Sequence, residues 1–155
     1  MLKAAFQSLY SSGVSQHLRG LMPFNGLSGM VHRALFSEFI PISGNRTVTV
    51  DDHNCTYTVN VNAVFTLPAV TADLKGMKLH AICAVEGAQA TFTPASADGI
   101  YGTTNASTNV VFSGTDGAGI KNTSVSALKG DNITLMCDGS TGWYVVGCHG
   151  VWANV

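Results

Sequence analysis

Apolar side chains recur every three or four residues along the first part of the chain, with polar side chains between them. This spacing is typical of amphipathic helices. Gly20 and Pro23 interrupt the pattern, and a second, shorter apolar stripe ends before Pro41. The pattern therefore predicts an N-terminal arm, residues 1–43, that is partly helical and contains two short helices.

Helices this short gain little stability alone in water, so their apolar stripes need a surface to pack against. That surface is either the chain's own domain or a neighbouring subunit or larger assembly. We favour the second interpretation, in which the arm is an anchor. The candidate anchor residues are Phe6, Leu9, Tyr10, Leu18, Leu21 and Phe24.

The pattern changes at Arg46, where Thr, Val and Asn begin to alternate as they do in half-buried strands. Later, Asp138 and Gly139 separate two alternating runs, and Asp-Gly in this position is a strong hairpin signal. About eight to ten short strands predict a mainly β fold for residues 44–155, a β-sandwich or jelly-roll-like domain of short antiparallel strands. The clearest predicted strands are Thr47–Val50, Thr56–Val61, Val64–Leu67, Lys78–Val85, Asn132–Cys137 and Gly142–Gly147.

The amino-acid composition argues against two classes of function, nucleic-acid binding and membrane insertion. Charged residues make up only 11% of the chain and the net charge is -1, so a nucleic-acid partner has little electrostatic support. No apolar run approaches the roughly 20 residues that span a bilayer, and we expect no membrane insertion. The arm also lacks the apolar core of a secretory signal, although its acid-poor, Ser-containing start leaves an organellar transit peptide as an alternative.

Four cysteines could form two disulfides in three possible pairings. Cys55, Cys83 and Cys137 each alternate in phase with apolar residues of a predicted strand, and the fourth cysteine is Cys148. Residues in that phase lie in a core, where cysteine acts as a small hydrophobe. The sequence therefore predicts free thiols, which fits assembly in a reducing cytoplasm.

Sequence motifs of catalysis are absent: there is no phosphate-binding glycine loop, nucleophile elbow or His-Glu-x-x-His motif. We therefore expect no enzyme activity, no catalytic residues and no cofactor. Asp51, Asp52 and Asn54 could hold a cation, but a turn is the better interpretation. Zinc binding is conceivable at three places, where His and Cys lie close together, but the spacings match no standard site and we expect no metal. The three places are His53 with Cys55, His80 with Cys83, and Cys148 with His149.

Three aromatic residues near the C-terminus, Trp143, Tyr144 and Trp152, offer flat rings of the kind that stack on sugar rings. In a strand, Trp143 and Tyr144 point to opposite faces, so one of them is expected in the core. A carbohydrate-binding role is therefore an alternative that depends on which ring is exposed.

From about Thr47 to Trp152 the order of motifs resembles small β-domains of tailed-bacteriophage virion proteins, which include capsid decoration (cement) proteins, head fibres and tail-fibre tips. The resemblance is carried by Phe65-Thr-Leu-Pro-Ala69, a buried strand, the loop at Gly99-Ile100, and the segment from Gly130 through the Asp-Gly turn to Val146. Such a motif marks a fold and not a site. The resemblance implies a homo-oligomer, most simply a trimer, and for cement proteins a position over gaps between capsid subunits.

These observations lead to the hypothesis of a capsid decoration protein that binds and stabilises the phage head as an oligomer. Its partners are then copies of itself and the major capsid protein, and it is found on the virion surface after assembly in the host cytoplasm. The alternative is a tail-fibre or spike domain that binds a host receptor or glycan. The sequence has no recognisable collagen-like, heptad or β-helical shaft, which favours a compact knob on the capsid.

Overall fold

The computed structural model describes residues 39–103, 111–123 and 127–155. Strands contain 49% of these residues and helices 6%, so the predicted mainly β fold is confirmed. The helical residues are single 3₁₀ turns at Val50–Asp52 and Ala72–Leu74. In this part of the chain no helix has the length and apolar character needed to cross a bilayer.

The strands of the described residues form two sheets. In spatial order, the seven-stranded sheet consists of β1 (Phe39–Ile42), β3 (Cys55–Val59), β5 (Lys78–Cys83), β10 (Asn132–Cys137), β11 (Gly142–His149), β7 (Gly99–Thr103) and β8 (Val111–Ser113). The five-stranded sheet consists of β12 (Trp152–Asn154), β9 (Ile120–Asn122), β6 (Ala90–Thr93), β4 (Ala63–Thr66) and β2 (Arg46–Thr47).

The first six strands alternate between the two sheets. β1, β3 and β5 are parallel neighbours in the seven-stranded sheet, and β2, β4 and β6 are parallel neighbours in the five-stranded sheet. The chain therefore makes three successive coils, and each coil contributes one strand to each sheet. This is the path of a parallel β-helix.

The prediction of antiparallel strands is wrong for these coils. Among the described residues, five strand pairs are parallel and five are antiparallel, whereas a jelly roll has antiparallel neighbours. The physical reason lies in the corners. Residues 43–45 and 60–62 carry the chain across to the other sheet and do not turn it back beside the strand that it has just left.

The predicted hairpin near the C-terminus is confirmed. β10 and β11 are antiparallel, with Cys137 opposite Trp143 and a bulge beside Thr134 and Leu135. The Asp138 carboxylate closes the turn by accepting hydrogen bonds from the backbone N–H groups of Ser140 (2.8 Å) and Thr141 (2.9 Å). Together with the Thr141 hydroxyl, which is the largest contribution, these donors hold the pKa of Asp138 well below its usual value.

The core lies between the two sheets and receives side chains from both. Tyr57 in β3 contacts Phe65 in β4, with ring centroids 5.0 Å apart. Phe65 then stacks on Phe92 of the next coil at 4.8 Å, and Phe92 contacts Trp152 at 6.4 Å. Parallel coils place equivalent residues one above the other, and Phe65 stacks on Phe92 for that reason, while the contacts with Tyr57 and Trp152 are tilted.

The cysteines lie where the strand phase predicts them. Cys55, Cys83 and Cys137 are buried, Cys148 is half-buried, and all four are free thiols. The predicted burial of the first three is therefore confirmed.

Strand β1 lies within the segment predicted as the arm. Its residues Phe39–Ile42 pair with Thr56–Val59 in β3, so the seven-stranded sheet begins inside residues 1–43. The two predicted helices of the arm and the candidate anchors Phe6, Leu9, Tyr10, Leu18, Leu21 and Phe24 lie outside the described residues.

Candidate functional site: the outer face of the seven-stranded sheet

The seven-stranded sheet has one face on the core and one face turned away from it. On the strands β3, β5 and β10, alternate side chains lie in the core, and the side chains between them, of which Thr56 is the buried one, form the opposite surface. We call this surface the outer face. Its central members are Thr56, Thr58, Lys78, His80, Ile82, Asn132, Thr134, Met136, Tyr144 and Tyr101. Lys78 is the single fixed charge among these ten side chains, so the outer face carries hydroxyl, amide, imidazole and apolar groups.

Two tyrosines form a stacked pair on the outer face. Tyr144 in β11 lies opposite Tyr101 in β7, because these strands are parallel neighbours in register. The ring centroids are 5.1 Å apart and the ring planes differ by 18°. Tyr144 keeps 39% of its surface exposed, and Tyr101 is half-buried.

Tyr101 is held in place by glycines beneath its ring. A Cβ atom on Gly114 would lie 1.9 Å from the ring atom Cε1 of Tyr101, and a Cβ on Gly142 would lie 2.7 Å from Cε2. The ring therefore occupies the space that any other residue would fill with its side chain. Gly114 also has a φ of +69°, a conformation that residues other than glycine rarely adopt.

A depression lies beside the tyrosine pair, over strands β3, β5 and β10. Its volume is about 310 Å³. The residues that line it offer an ammonium group, an imidazole, two hydroxyls and an amide, and none of them is a carboxylate. They are Asn54, Cys55, Thr56, Lys78, His80 and Thr134.

His80 is the central polar group of the depression. It lies between Thr56 and Thr134 in the register of the sheet, and its Nδ1 atom is 2.7 Å from the Thr134 hydroxyl oxygen. Burial lowers the pKa of His80, and the neighbouring Lys78 ammonium lowers it further. The imidazole is therefore neutral at neutral pH, where it serves as a hydrogen-bonding group.

The three aromatic residues considered for sugar binding differ in their burial. Trp143 and Trp152 are buried in the core and Tyr144 is exposed, so Trp143 and Tyr144 do point to opposite faces as predicted. The three rings do not form one platform. The partner of Tyr144 is Tyr101, which sequence reasoning missed because the pairing of β7 with β11 joins distant parts of the chain.

Asp51 and Asp52 also have separate environments. Asp52 is buried and its carboxylate binds the Arg46 guanidinium, while its other oxygen accepts a hydrogen bond from the Thr49 N–H at 2.9 Å. Asp51 is exposed in the same 3₁₀ turn. The predicted turn is confirmed, and the Asp52 carboxylate is already occupied by Arg46 and Thr49.

The His and Cys residues considered for zinc have other contacts. Cys83 accepts a hydrogen bond from Asn122, the His53 ring accepts one from the Lys78 N–H, and His149 lies 3.8 Å from the Asp131 carboxylate. Within the part of the chain that the structure describes, no three His, Cys, Asp or Glu side chains are grouped as metal ligands would be.

The outer face therefore carries an exposed aromatic ring and polar side chains that do not pack in the hydrophobic core. The predicted anchor residues of the arm lie outside the described residues. No protein-family model and no curated protein matches this chain.

Proposed function

We propose that this chain is a non-enzymatic structural protein of a tailed-phage virion, a capsid decoration protein that assembles with copies of itself. Its two sheets with a shared core form a sandwich-type domain that projects from the capsid surface. The homo-oligomer is most simply a trimer, and the arm attaches it to the major capsid protein. The resemblance of the motifs from Thr47 to Trp152 supports this proposal, as do the edges of the two sheets, which pair with no further strand among the described residues.

One observation carries the proposal of self-assembly. The two sheets have four edge strands, β1 and β8 in one sheet and β2 and β12 in the other. The four most exposed large hydrophobic side chains in the described part of the chain lie on these strands or within three residues of them. They are Phe39 (65%) in β1, Val111 (62%) in β8, Val50 (60%) after β2 and Val155 (62%) after β12.

An open edge with an apolar side chain beside it favours pairing with another chain. Proteins that remain monomeric usually protect such edges with charged residues, and charged residues are only 11% of this chain. Contact between copies would cover these edges. Pro41 in β1 removes one backbone donor from its edge, so β8, β2 and β12 are the better candidates for such contacts.

Four carboxylates with hydrogen-bond partners in loops and turns, those of Asp52, Asp98, Asp131 and Asp138, support a structural role. Arg46 and Asp52 stabilise the turn after β2, and Asp138 closes the hairpin between β10 and β11. Asp98 accepts a hydrogen bond from the Val70 N–H at 2.8 Å, and Asp131 accepts one from the Leu128 N–H at 3.0 Å. Each of these carboxylates holds a loop in place.

The test of self-assembly is light scattering on the full-length protein and on two charge variants. We expect an oligomer for the wild type and dissociation for the double variant Val111→Lys and Val155→Lys, which places charge at the edges of both sheets. Val64→Lys is the matched control, because Val64 is exposed on the interior strand β4 and not at an edge. A monomeric wild type, or equal dissociation of both variants, would contradict the proposal.

The test of capsid attachment is co-sedimentation with expanded phage heads. We expect the wild-type protein to sediment with the heads at a fixed ratio to the capsid protein. Recovery of all of the protein in the supernatant, at concentrations where it is an oligomer, would exclude a decoration role and leave self-assembly intact.

The second candidate function is a tail-fibre or spike domain that binds a host receptor or glycan. Two observations favour it: the tyrosine pair on the outer face, in which Tyr144 is exposed, and the three parallel coils. Parallel coils are the architecture of a β-helical fibre shaft. The sequence did not reveal these coils, because links of unequal length between the strands hide the repeat. Lack of a visible shaft is therefore no longer an argument against this function.

A further inference from the structure

Tyr144 presents an aromatic ring that is both exposed and fixed in orientation. It stacks on Tyr101, whose ring is seated on Gly114 and Gly142. A ring that is already held in its bound orientation costs little conformational entropy when a ligand packs against it. The flat apolar faces of sugar rings stack on such a ring.

The depression around His80 lies at a suitable distance from Tyr144 for a ligand to contact both. Met136 in β10 pairs with Lys78 in β5 on one side and with Tyr144 in β11 on the other. Adjacent strands are about 4.8 Å apart, so Lys78 and Tyr144 belong to strands separated by roughly 9–10 Å. This distance corresponds to two linked sugar rings, with the exposed Met136 side chain between the two subsites.

The chemistry of the depression selects the kind of sugar. The Thr134 hydroxyl and the neutral His80 imidazole can exchange hydrogen bonds with sugar hydroxyl groups. Lys78 is exposed at the rim and supplies the single positive charge, and no lining residue is acidic. A ligand that carries a carboxylate would therefore find a cation here and no carboxylate among the residues that line the depression.

We propose that the outer face binds an acidic saccharide of two or more rings, with one ring stacked on Tyr144 and the carboxylate of another placed at Lys78 beside His80 and Thr134. This inference rests on the second candidate function, the receptor-binding domain, and names its ligand class. Self-assembly of the protein does not depend on it.

The first experiment presents the full-length protein to an array of neutral and acidic oligosaccharides. We expect binding to oligosaccharides that contain a uronic or sialic acid, and weaker binding to their neutral counterparts. Binding to neutral sugars alone, or to none of the sugars, would overturn the proposal. Light scattering on the same sample separates this outcome from failure of the self-assembly proposal, because an oligomer that binds no acidic sugar refutes only the saccharide site.

The second experiment measures the affinity of variants for digalacturonate by calorimetry. Tyr144→Ala should weaken binding about tenfold, and Tyr144→Phe, which keeps the ring, should retain most of the affinity. Lys78→Met should reduce the affinity for digalacturonate to that for the neutral disaccharide. Val64→Ala, on the other sheet, is the control and should bind as the wild type does. Equal affinities for the wild type, Tyr144→Ala and Lys78→Met would also overturn the proposal.

Discussion

Asn122 in β9 is a buried polar residue whose side chain links the two sheets, because its partners include Cys83 in β5 and Ala90 in β6. Its side chain is fully buried, and its Nδ2 group donates hydrogen bonds to the Cys83 sulfur (2.9 Å) and the Ala88 carbonyl (3.3 Å). Its Oδ1 atom accepts a hydrogen bond from the Ala90 N–H at 2.6 Å. The amide thus has partners at both ends, which removes the cost of burying it. Asn122 also begins a glycosylation sequon, and its burial leaves no room for a glycan there.

Cys83 gives the stability of the protein a pH dependence. Burial raises the pKa of the Cys83 thiol from 9.0 to about 11, and the nearby Asp131 carboxylate adds to the effect. Between these two values the unfolded thiol loses its proton while the folded thiol keeps it, so the free energy of unfolding falls as the pH rises. We expect the wild type to lose roughly 2 kcal/mol more than Cys83→Ala between about pH 8 and about pH 11, as measured by urea denaturation. The same loss in both proteins would show that Cys83 is not the source.

Gly114 and Gly76 allow a matched test of the close contact between Gly114 and the Tyr101 ring. Both glycines have positive φ, +69° and +82°, but only Gly114 has the tyrosine ring over it, whereas Gly76 faces open space. Gly76→Ala should cost about 1–2 kcal/mol from backbone strain alone. Gly114→Ala should cost clearly more, because the new methyl group also displaces Tyr101. Equal losses in chemical denaturation would mean that the ring moves aside without cost.

At the scale of elements, the corners of the coils repeat one interaction. The Asn45 side chain in the first coil accepts a hydrogen bond from the Val64 N–H of the second coil at 2.9 Å. In the same way, Asn62 of the second coil accepts one from the Gln89 N–H of the third at 2.8 Å. Each corner asparagine thus binds the backbone N–H of a residue in the next coil, at the start of β4 or just before β6, and holds successive coils in register.

Substitution of these corner asparagines should therefore loosen the stacking of the coils. We expect Asn45→Ala and Asn62→Ala to cost about 1 kcal/mol each, and the double variant about 2 kcal/mol, in the free energy of unfolding. Asn60→Ala is the control, because the Asn60 side chain binds only the nearby Thr58 carbonyl, at 3.3 Å. If Asn60→Ala were as destabilising as the other two, the corner bonds would have no special role.

Five of the six clearest predicted strands agree with the structure to within two residues at each end. Alternation placed Lys78–Val85 and Thr56–Val61 where β5 (Lys78–Cys83) and β3 (Cys55–Val59) lie, and the Asp-Gly turn identified the β10–β11 hairpin. These features are local, because burial of alternate residues and turn chemistry are both written in neighbouring positions. Thr47–Val50 was less accurate, since Val50 begins a 3₁₀ turn.

Sheet topology and the outer face could not be predicted in the same way. Whether a strand is followed by a hairpin or by a crossing to the other sheet depends on corner geometry, and short polar corners such as 43–45 are compatible with both. The tyrosine pair depends on the parallel pairing of β7 with β11, and the depression depends on the order β3, β5, β10. Both are consequences of contacts between residues distant in sequence, which one sequence does not encode as a local pattern.

At the scale of the whole molecule, the two sheets of the described residues share one hydrophobic core. The ring contacts from Tyr57 through Phe65 and Phe92 to Trp152 extend across both sheets and from the first half of the chain to its last strand. Loss of any one of these rings would open a cavity that both sheets line, so we expect both sheets to unfold together.

In the proposed function the arm attaches the protein to the capsid, and the β unit, residues 39–155, folds without it. Because β1 begins at Phe39 and pairs with β3, removal of residues 1–36 leaves every described strand in place. We expect the truncated protein to keep a β-type circular dichroism spectrum and a cooperative melting transition but to lose co-sedimentation with phage heads. Each large apolar anchor contributes roughly 1.5–3 kcal/mol when buried, before ordering costs.

Two point variants test the same idea in the full-length chain. Phe6→Asp combined with Leu9→Asp should weaken attachment more than Arg19→Gln, because the proposed contact is apolar and single exposed charges contribute little. The fraction of protein that sediments with heads, measured over a range of protein concentrations, gives the relative affinities. If the truncated protein bound heads as tightly as the full chain, attachment would have to reside in the β unit, where the edge strands β8, β2 and β12 are the next surfaces to vary.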